Sequence, residues 1–171
     1  MNIITRFLNI VVPSQNTIAN KTTKSTISDA YVTPQNQDSG SNSGNYYAIK
    51  SYGYITTKAS SPGSLTVTIN LGSTVLGTMT FSSVPVGLTN AGINLEVFIV
   101  RTATGSSGAY SCQGQMSINN GGTLVVASIF NSSTITINTR NPNNLAIAAQ
   151  WSVADPTNSV TFAYPIMVEG N

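Results

Sequence analysis

Alternation of apolar and polar residues with a period of two is the strongest signal in this chain. From Leu65 to Leu71, every second residue is a large aliphatic one and the residues between are threonine or asparagine. This period predicts a β-strand with one apolar face, because successive side chains of a strand point to opposite sides. The same alternation returns in residues 75–81, 93–99, 110–118, 145–153 and 160–168. We expect Val75 and Ile166 to be among the inward-facing residues of these stripes.

Turn-forming residues separate the stripes and fix the fold class. Glycine, proline, asparagine or aspartate is concentrated at residues 61–63, 105–108, 119–122, 141–144 and 155–156. The Asn-Asn-Gly-Gly run at 119–122 predicts a tight hairpin, because Asn and Gly accept positive φ. Short strands with frequent turns and no long helical pattern are typical of sandwiches and barrels. We therefore expect an all-β fold, a jelly-roll-like β-sandwich of two antiparallel sheets.

The segment before Thr22 differs from the rest of the chain. A length of 171 residues fits one domain with a real core, and we divide it into an extended N-terminal arm, residues 1–22, and a sandwich domain, residues 23–171. The arm could add a strand to a neighbouring subunit, or it could cover its own domain. Its apolar residues are the first candidates for an interface: Ile3, Ile4, Phe7, Leu8 and Ile10.

Charged residues make up only 7% of the chain, against roughly 25% in ordinary soluble proteins. A surface of Ser, Thr, Asn and Gln provides little charge repulsion and tolerates close contact with other chains. That property suits a shell component or an extracellular adhesin. The seven basic residues are scattered, so we expect no nucleic-acid partner. No stretch approaches the roughly 20 apolar residues of a membrane span, so we expect no membrane partner.

The chain contains no histidine, which excludes Ser-His-Asp and Cys-His catalysis and most zinc sites. Its five carboxylates are dispersed, whereas a glycosidase needs a pair across a cleft. We predict a protein that is not an enzyme, with no catalytic residues, no cofactor and no metal. The single cysteine, Cys112, cannot form an intrachain disulfide, and it alternates in phase with Tyr110 and Met116. We interpret Cys112 as a small core residue.

Tyrosines are concentrated in residues 46–54, and three of them complete the candidate interface: Tyr46, Tyr52 and Tyr54. Tyr52 and Tyr54 share a strand face with Lys50. Such a face could stack sugars or form a protein interface, since tyrosine combines flat apolar area with a polar tip. The alternative is ordinary core packing for part of the set. Trp151 lies in an inward stripe and is expected in the core.

Several segments resemble tailed-bacteriophage virion proteins that have a jelly-roll-like β-sandwich. They include SLTVTINLG at 64–72, GLTNAG at 87–92, VRTATG at 100–105 and CQGQMSIN at 112–119. The resemblance covers residues 45–170, and it rests on the pattern of strands and turns. Before residue 45 the chain departs from the pattern, because the polar loop 35–44 is longer and the arm is additional. The resemblance implies a trimer-forming capsid decoration (cement) protein, or a related tail or fibre module.

From these observations we expect a phage virion structural protein on the capsid surface. Its partners would be the major capsid protein and further copies of itself, in a homotrimer, and protein–protein contacts would stabilise the shell. The alternative is a tail-fibre or head-fibre module that binds a receptor or a carbohydrate through the tyrosine cluster.

Overall fold

A computed structural model describes residues 10–11, 16–26, 31–33, 46–131 and 134–170. Across these ranges the backbone forms strands and turns and no helix, which confirms the all-β prediction. No helix in the described part of the chain is long and apolar enough to cross a membrane. The strands are β1 (Ile10–Val11), β2 (Asn16–Ala19), β3 (Ser25–Thr26), β4 (Tyr31–Thr33), β5 (Tyr46–Thr56), β6 (Leu65–Leu71), β7 (Thr74–Phe81), β8 (Ala91–Ala103), β9 (Gly108–Asn120), β10 (Thr123–Phe130), β11 (Ile135–Ile137), β12 (Asn143–Trp151) and β13 (Ser159–Gly170).

The strands form two antiparallel sheets, as the sequence predicts. The larger sheet has the order β1-β13-β5-β8-β9-β10, with β2 also paired to β13 and β11 also paired to β9. The smaller sheet has the order β3-β12-β6-β7, and β4 adds to β12. Because β13 follows β12 in the chain but lies in the other sheet, the short connection between them links the two layers of the sandwich.

The core lies between the sheets and is built from the alternating stripes. Leu65, Val67 and Ile69 of β6 are fully buried, and Trp151 at the end of β12 is buried as well. Cys112 has an exposed fraction of 1%, which confirms that it is a core residue. The other predicted stripes contribute Ile93, Leu95, Val97, Ile99, Tyr110, Met116, Ile118, Leu145, Ile147, Ala149, Val160 and Phe162.

Two residues do not lie where the alternation predicts. The alternation predicts that Val75 faces inward, but it is 40% exposed and Leu76 is buried in its place. The cause is an irregularity in the β6–β7 register after Ile69, which pairs with Gly77, whereas Asn70 pairs with Val75. One extra residue in a strand reverses the facing of those beyond it.

Ile166 is the second residue that does not face inward as predicted, and the cause is again a register shift. The β13–β5 register shifts between Ala163 and Ile166, so the inward stripe that begins at Val160 ends before the strand does. Ile166 is partly exposed and pairs with Lys50, an exposed residue. Periodicity alone cannot reveal such a shift, because nothing in the sequence of β13 marks it except Pro165.

The hairpin predicted at residues 119–122 joins β9 to β10. Asn120 pairs with Thr123, and the two glycines between them have φ values of 58° and 93°. The Oδ1 atom of Asn119 accepts a hydrogen bond from the backbone N–H of Gly122 at 2.8 Å. Positive φ at both central positions is the type of turn that Gly accepts without strain.

The described part of the N-terminal arm pairs with its own chain. Ile10 and Val11 lie antiparallel to Met167 and Ile166, and β2 pairs with residues 159–162 of the same strand, β13. Ile18 is 4% exposed and belongs to the core. These residues therefore follow the alternative in which the arm covers its own domain. Four candidate interface residues, Ile3, Ile4, Phe7 and Leu8, lie outside the described residues, and the boundary at residue 22 stays a prediction.

Candidate functional site

The three candidate tyrosines lie on one face of β5. Tyr52 is 56% exposed, while Tyr46 and Tyr54 are partly exposed. Tyr47, between them in the sequence, is 2% exposed and points into the core. The face that Tyr46, Tyr52, Tyr54 and Lys50 share is the outer face of the larger sheet, turned away from the smaller one.

Neighbouring strands continue this outer face. The register places Ala48 of β5 opposite Phe98 of β8, Phe98 opposite Gln113 of β9, and Gln113 opposite Phe130 of β10. Phe98 is 38% exposed and Phe130 is 79% exposed. Two aromatic side chains therefore flank Gln113 in one row across the sheet.

The next row, parallel to the first, is polar. It runs from Lys50 to Glu96 and on to Gln115 and Ser128. The Nζ atom of Lys50 lies 3.5 Å from the Oε1 atom of Glu96, and the two side chains are 56% and 42% exposed. An ion pair with this exposure contributes about 0–1 kcal/mol to stability, so its presence here is not explained by a need to hold the fold.

Together the two rows line a cleft of about 460 Å³ on the outer face. The cleft combines two phenylalanines, two glutamines, a serine and the lysine–glutamate pair. Tyr46 stacks on Phe98 with ring centroids 4.9 Å apart and an angle of 29° between the rings. This stacking restricts the ring of Phe98. Sequence reasoning found Tyr46 but missed Phe98, Gln113 and Phe130, although alternation in β8 and β9 was enough to place the first two on the outer face.

Beyond the cleft, the outer face of β10 carries two more exposed apolar side chains. We name Leu124 and Val126 the β10 edge; their side chains are 63% and 50% exposed. Within the described residues, β10 ends the order of the larger sheet. Residues 123–130 contain no charged residue and no proline, which are the usual means of protecting an edge strand.

Two further reactive groups lie outside the cleft, the thiol of Cys112 and the carboxylate of Asp155. Burial raises the pKa of the Cys112 thiol to about 12, so the thiol stays protonated. The side chain and backbone of Thr157 hydrogen-bond to Asp155 and lower its pKa, helped by Lys58. Lys58 lies 3.5 Å from Asp155. Among the described residues, no group of three or more His, Cys, Asp or Glu side chains could hold a metal ion.

Comparison with known proteins finds no family model that matches the chain and no matching curated protein. The chain is similar to a solved structure, the CBM2 module of the evolved Dit of Lactobacillus casei BL23 phage J-1. The identity is 12% and the TM-score 0.35, over 81% of this chain and 67% of that one. It is also similar to the alginate lyase from Klebsiella pneumoniae, with 11% identity and a TM-score of 0.27, over 74% of this chain and 60% of the enzyme. These likenesses are too distant to carry an argument about function.

Proposed function

We propose that this chain is a structural protein of a bacteriophage particle that lies on the capsid surface and stabilises the shell through protein–protein contacts, without catalysis. The observation that carries the proposal is the β10 edge, two exposed apolar side chains on a strand that carries no charge. The resemblance of residues 45–170 to virion proteins indicates the kind of particle. The partners in this proposal are the major capsid protein and two further copies of the chain, in a homotrimer.

An edge strand presents unpaired backbone N–H and C=O groups that pair readily with another chain. Leu124 and Val126 add exposed apolar area to those groups, and no charge in residues 123–130 opposes a close approach. A monomer in a crowded solution would be prone to aggregate through such a strand. In a shell, where the neighbour is always present, the same strand becomes a permanent contact.

Low charge over the whole chain supports the same role. Only 12 of the 171 residues are charged, seven basic and five acidic. One of them, Arg101, is 2% exposed and does not contribute to the surface. Contacts between subunits then depend on shape and on Ser, Thr and Asn hydrogen bonds, and they are only weakly sensitive to salt. Repeated around a shell, many modest contacts stabilise it together.

The test uses particles of the phage that encodes the chain, prepared without it, to which the purified protein is added back. We expect the wild type to sediment with the shells in hundreds of copies per particle. Val126→Lys introduces a charge into the β10 edge and should reduce the bound protein by about tenfold or more. The matched control is Val86→Lys, since Val86 is 56% exposed but lies in a connector, and it should bind like the wild type.

A different experimental result would contradict each part of the proposal. A handful of copies per virion would replace capsid decoration with a tail role, and no copies would remove the protein from the particle. Equal binding of the Val126→Lys and Val86→Lys variants would show that the β10 edge is not the contact. If light scattering of the purified protein gave the molar mass of one chain, that result would contradict the homotrimer.

A further inference from the structure

The cleft on the outer face of the larger sheet has a chemistry that the β10 edge lacks. We infer that it is a binding site for an uncharged oligosaccharide, held between Phe98 and Phe130 over a floor of Gln113, Gln115 and Ser128. This inference goes beyond the proposed capsid role and does not depend on it. The alternative expected from the sequence is a carbohydrate-binding fibre module with the tyrosine cluster as its site. The cleft lies on the same sheet face, but its centre is on β8, β9 and β10.

The two phenylalanines form the walls of the cleft. Because Phe98 and Phe130 lie in one row with only Gln113 between them, their backbones are separated by two strand spacings, about 10 Å. That separation leaves room for a sugar ring to lie across the strands. Flat aromatic rings offer apolar area to the C–H faces of such a ring. Phe130 is 79% exposed, so most of its ring is open to a ligand.

The floor supplies hydrogen bonds of the kind that sugar hydroxyls require. Each glutamine amide offers two N–H donors and a carbonyl acceptor, and a serine hydroxyl both donates and accepts. Gln113, Gln115 and Ser128 are all exposed at the base of the cleft. A sugar hydroxyl likewise donates and accepts, so adjacent hydroxyls can pair with both ends of one amide. A purely apolar partner would leave these groups unpaired on binding, at a cost of about 1–3 kcal/mol for each buried group.

The charges of the cleft decide which class of sugar fits. Its two charged side chains, Lys50 and Glu96, lie 3.5 Å apart and cancel. An acidic sugar would bring its carboxylate close to Glu96 and would have to break the Lys50–Glu96 pair to gain a partner. An uncharged sugar leaves the pair intact and can hydrogen-bond to its free positions. The cleft therefore favours neutral hexose or N-acetylhexosamine units.

The size of the cleft also fits a small ligand. Ligand clefts commonly have volumes of about 300–1,000 Å³, and this shallow, open cleft has a volume of about 460 Å³. A protein partner would need about 800 Å² of surface on each side and a core poor in charge. The lysine and glutamate in the cleft oppose that use. Stacking of Tyr46 on Phe98 holds one wall in position before the ligand arrives, which lowers the entropy cost of binding.

The experiment is an array of neutral and acidic glycans, followed by titration of the best ligand against the purified full chain. We expect the wild type to bind neutral glycans and Phe130→Ala to weaken binding by about tenfold or more. Leu124→Ala is the matched control, since Leu124 is also exposed on β10 but outside the cleft, and its affinity should stay within about twofold. Thermal unfolding of each variant excludes loss of fold as the cause.

A second variant tests the charge argument. Glu96→Gln removes the partner of Lys50, leaves one positive charge in the cleft, and should shift the preference towards acidic glycans. No glycan bound by the wild type, a preference of the wild type for acidic glycans, or unchanged binding by Phe130→Ala would each overturn the inference.

The capsid proposal and the glycan proposal can be tested independently of each other. Val126→Lys should release the protein from shells and keep glycan binding, because Val126 does not line the cleft. Phe130→Ala should lose glycan binding and keep its place on the shell. If Phe130→Ala instead lost the shell and no glycan bound, the cleft would be a protein contact and the glycan proposal would be wrong.

Discussion

The two faces of the larger sheet are made by the same strands but differ in almost every property. Along β8, Leu95 and Ile99 are fully buried, whereas Phe98, one residue before Ile99, is 38% exposed. The inner face is almost entirely apolar, with the rings of Tyr47, Tyr110 and Phe162 among its aliphatic side chains, and it packs against the smaller sheet. The outer face combines aromatic rings, amides and one ion pair around a shallow cleft. The inner face therefore stabilises the fold, and the outer face is free to evolve contacts with partners.

The apolar residues of the two faces also differ in what covers them. An inner residue is covered by the opposite sheet, so its burial follows from the fold. An outer residue such as Phe130 is covered by nothing in the described chain, so the fold does not explain it. Scattered exposed apolar residues are normal, but Phe98 and Phe130 lie in one row with a cleft between them. This arrangement is the basis of the proposed binding site, because contiguous exposed apolar residues mark interaction surfaces.

The largest difference between the faces should appear when leucine is shortened on each. Leu95→Ala leaves a cavity in the core beside Met116 and should lower the free energy of unfolding by about 3 kcal/mol or more. Leu124→Ala removes a side chain that is 63% exposed and should change it by no more than about 0.5 kcal/mol. Urea unfolding of both variants gives the comparison. Similar losses would mean that Leu124 is buried by a part of the chain outside the described residues.

Glycine provides the second test, because two glycines of the sheet differ in the space around them. A Cβ added at Gly53 would overlap the backbone oxygen of Thr161, whereas one at Gly92 would meet nothing within 4 Å. Gly53→Ala should push β13 away and cost about 1–3 kcal/mol or more. Gly92→Ala should leave the melting temperature nearly unchanged. Equal melting temperatures would contradict the register in which Gly53 of β5 lies against β13.

The smallest expected effect belongs to the outer face. Tyr46 and Phe98 are stacked at 4.9 Å, and a double-mutant cycle with alanine at each should give a coupling of about 0.5–1.5 kcal/mol. Tyr46→Ala or Phe98→Ala alone should reduce the free energy of glycan binding by more than it reduces the free energy of unfolding. A coupling near zero would show that the rings do not hold each other in solution, and it would remove the argument that one wall of the cleft is preorganised.

Much of the fold was accessible from the sequence because alternation is a local property. The stripes of β6, β8, β9 and β12 are buried as predicted, and the same alternation placed Tyr52 and Tyr54 on one strand face with Lys50, which in the structure is the outer face. The errors occurred at Val75 and Ile166, where register shifts interrupt the alternation. A bulge depends on how two strands pair across the sheet, and the sequence of one strand does not specify that pairing.

The sequence by itself determined an all-β chain with a low-charge surface, since strand period and composition are read directly from the residues. The tertiary structure alone decided which outer residues meet. Phe98 and Phe130 are 32 positions apart, yet strand pairing through Gln113 puts them in one row. Lys50 reaches Glu96 for the same reason. Residues distant in sequence become neighbours through strand order and register, which long-range packing sets, and the cleft exists only at that level.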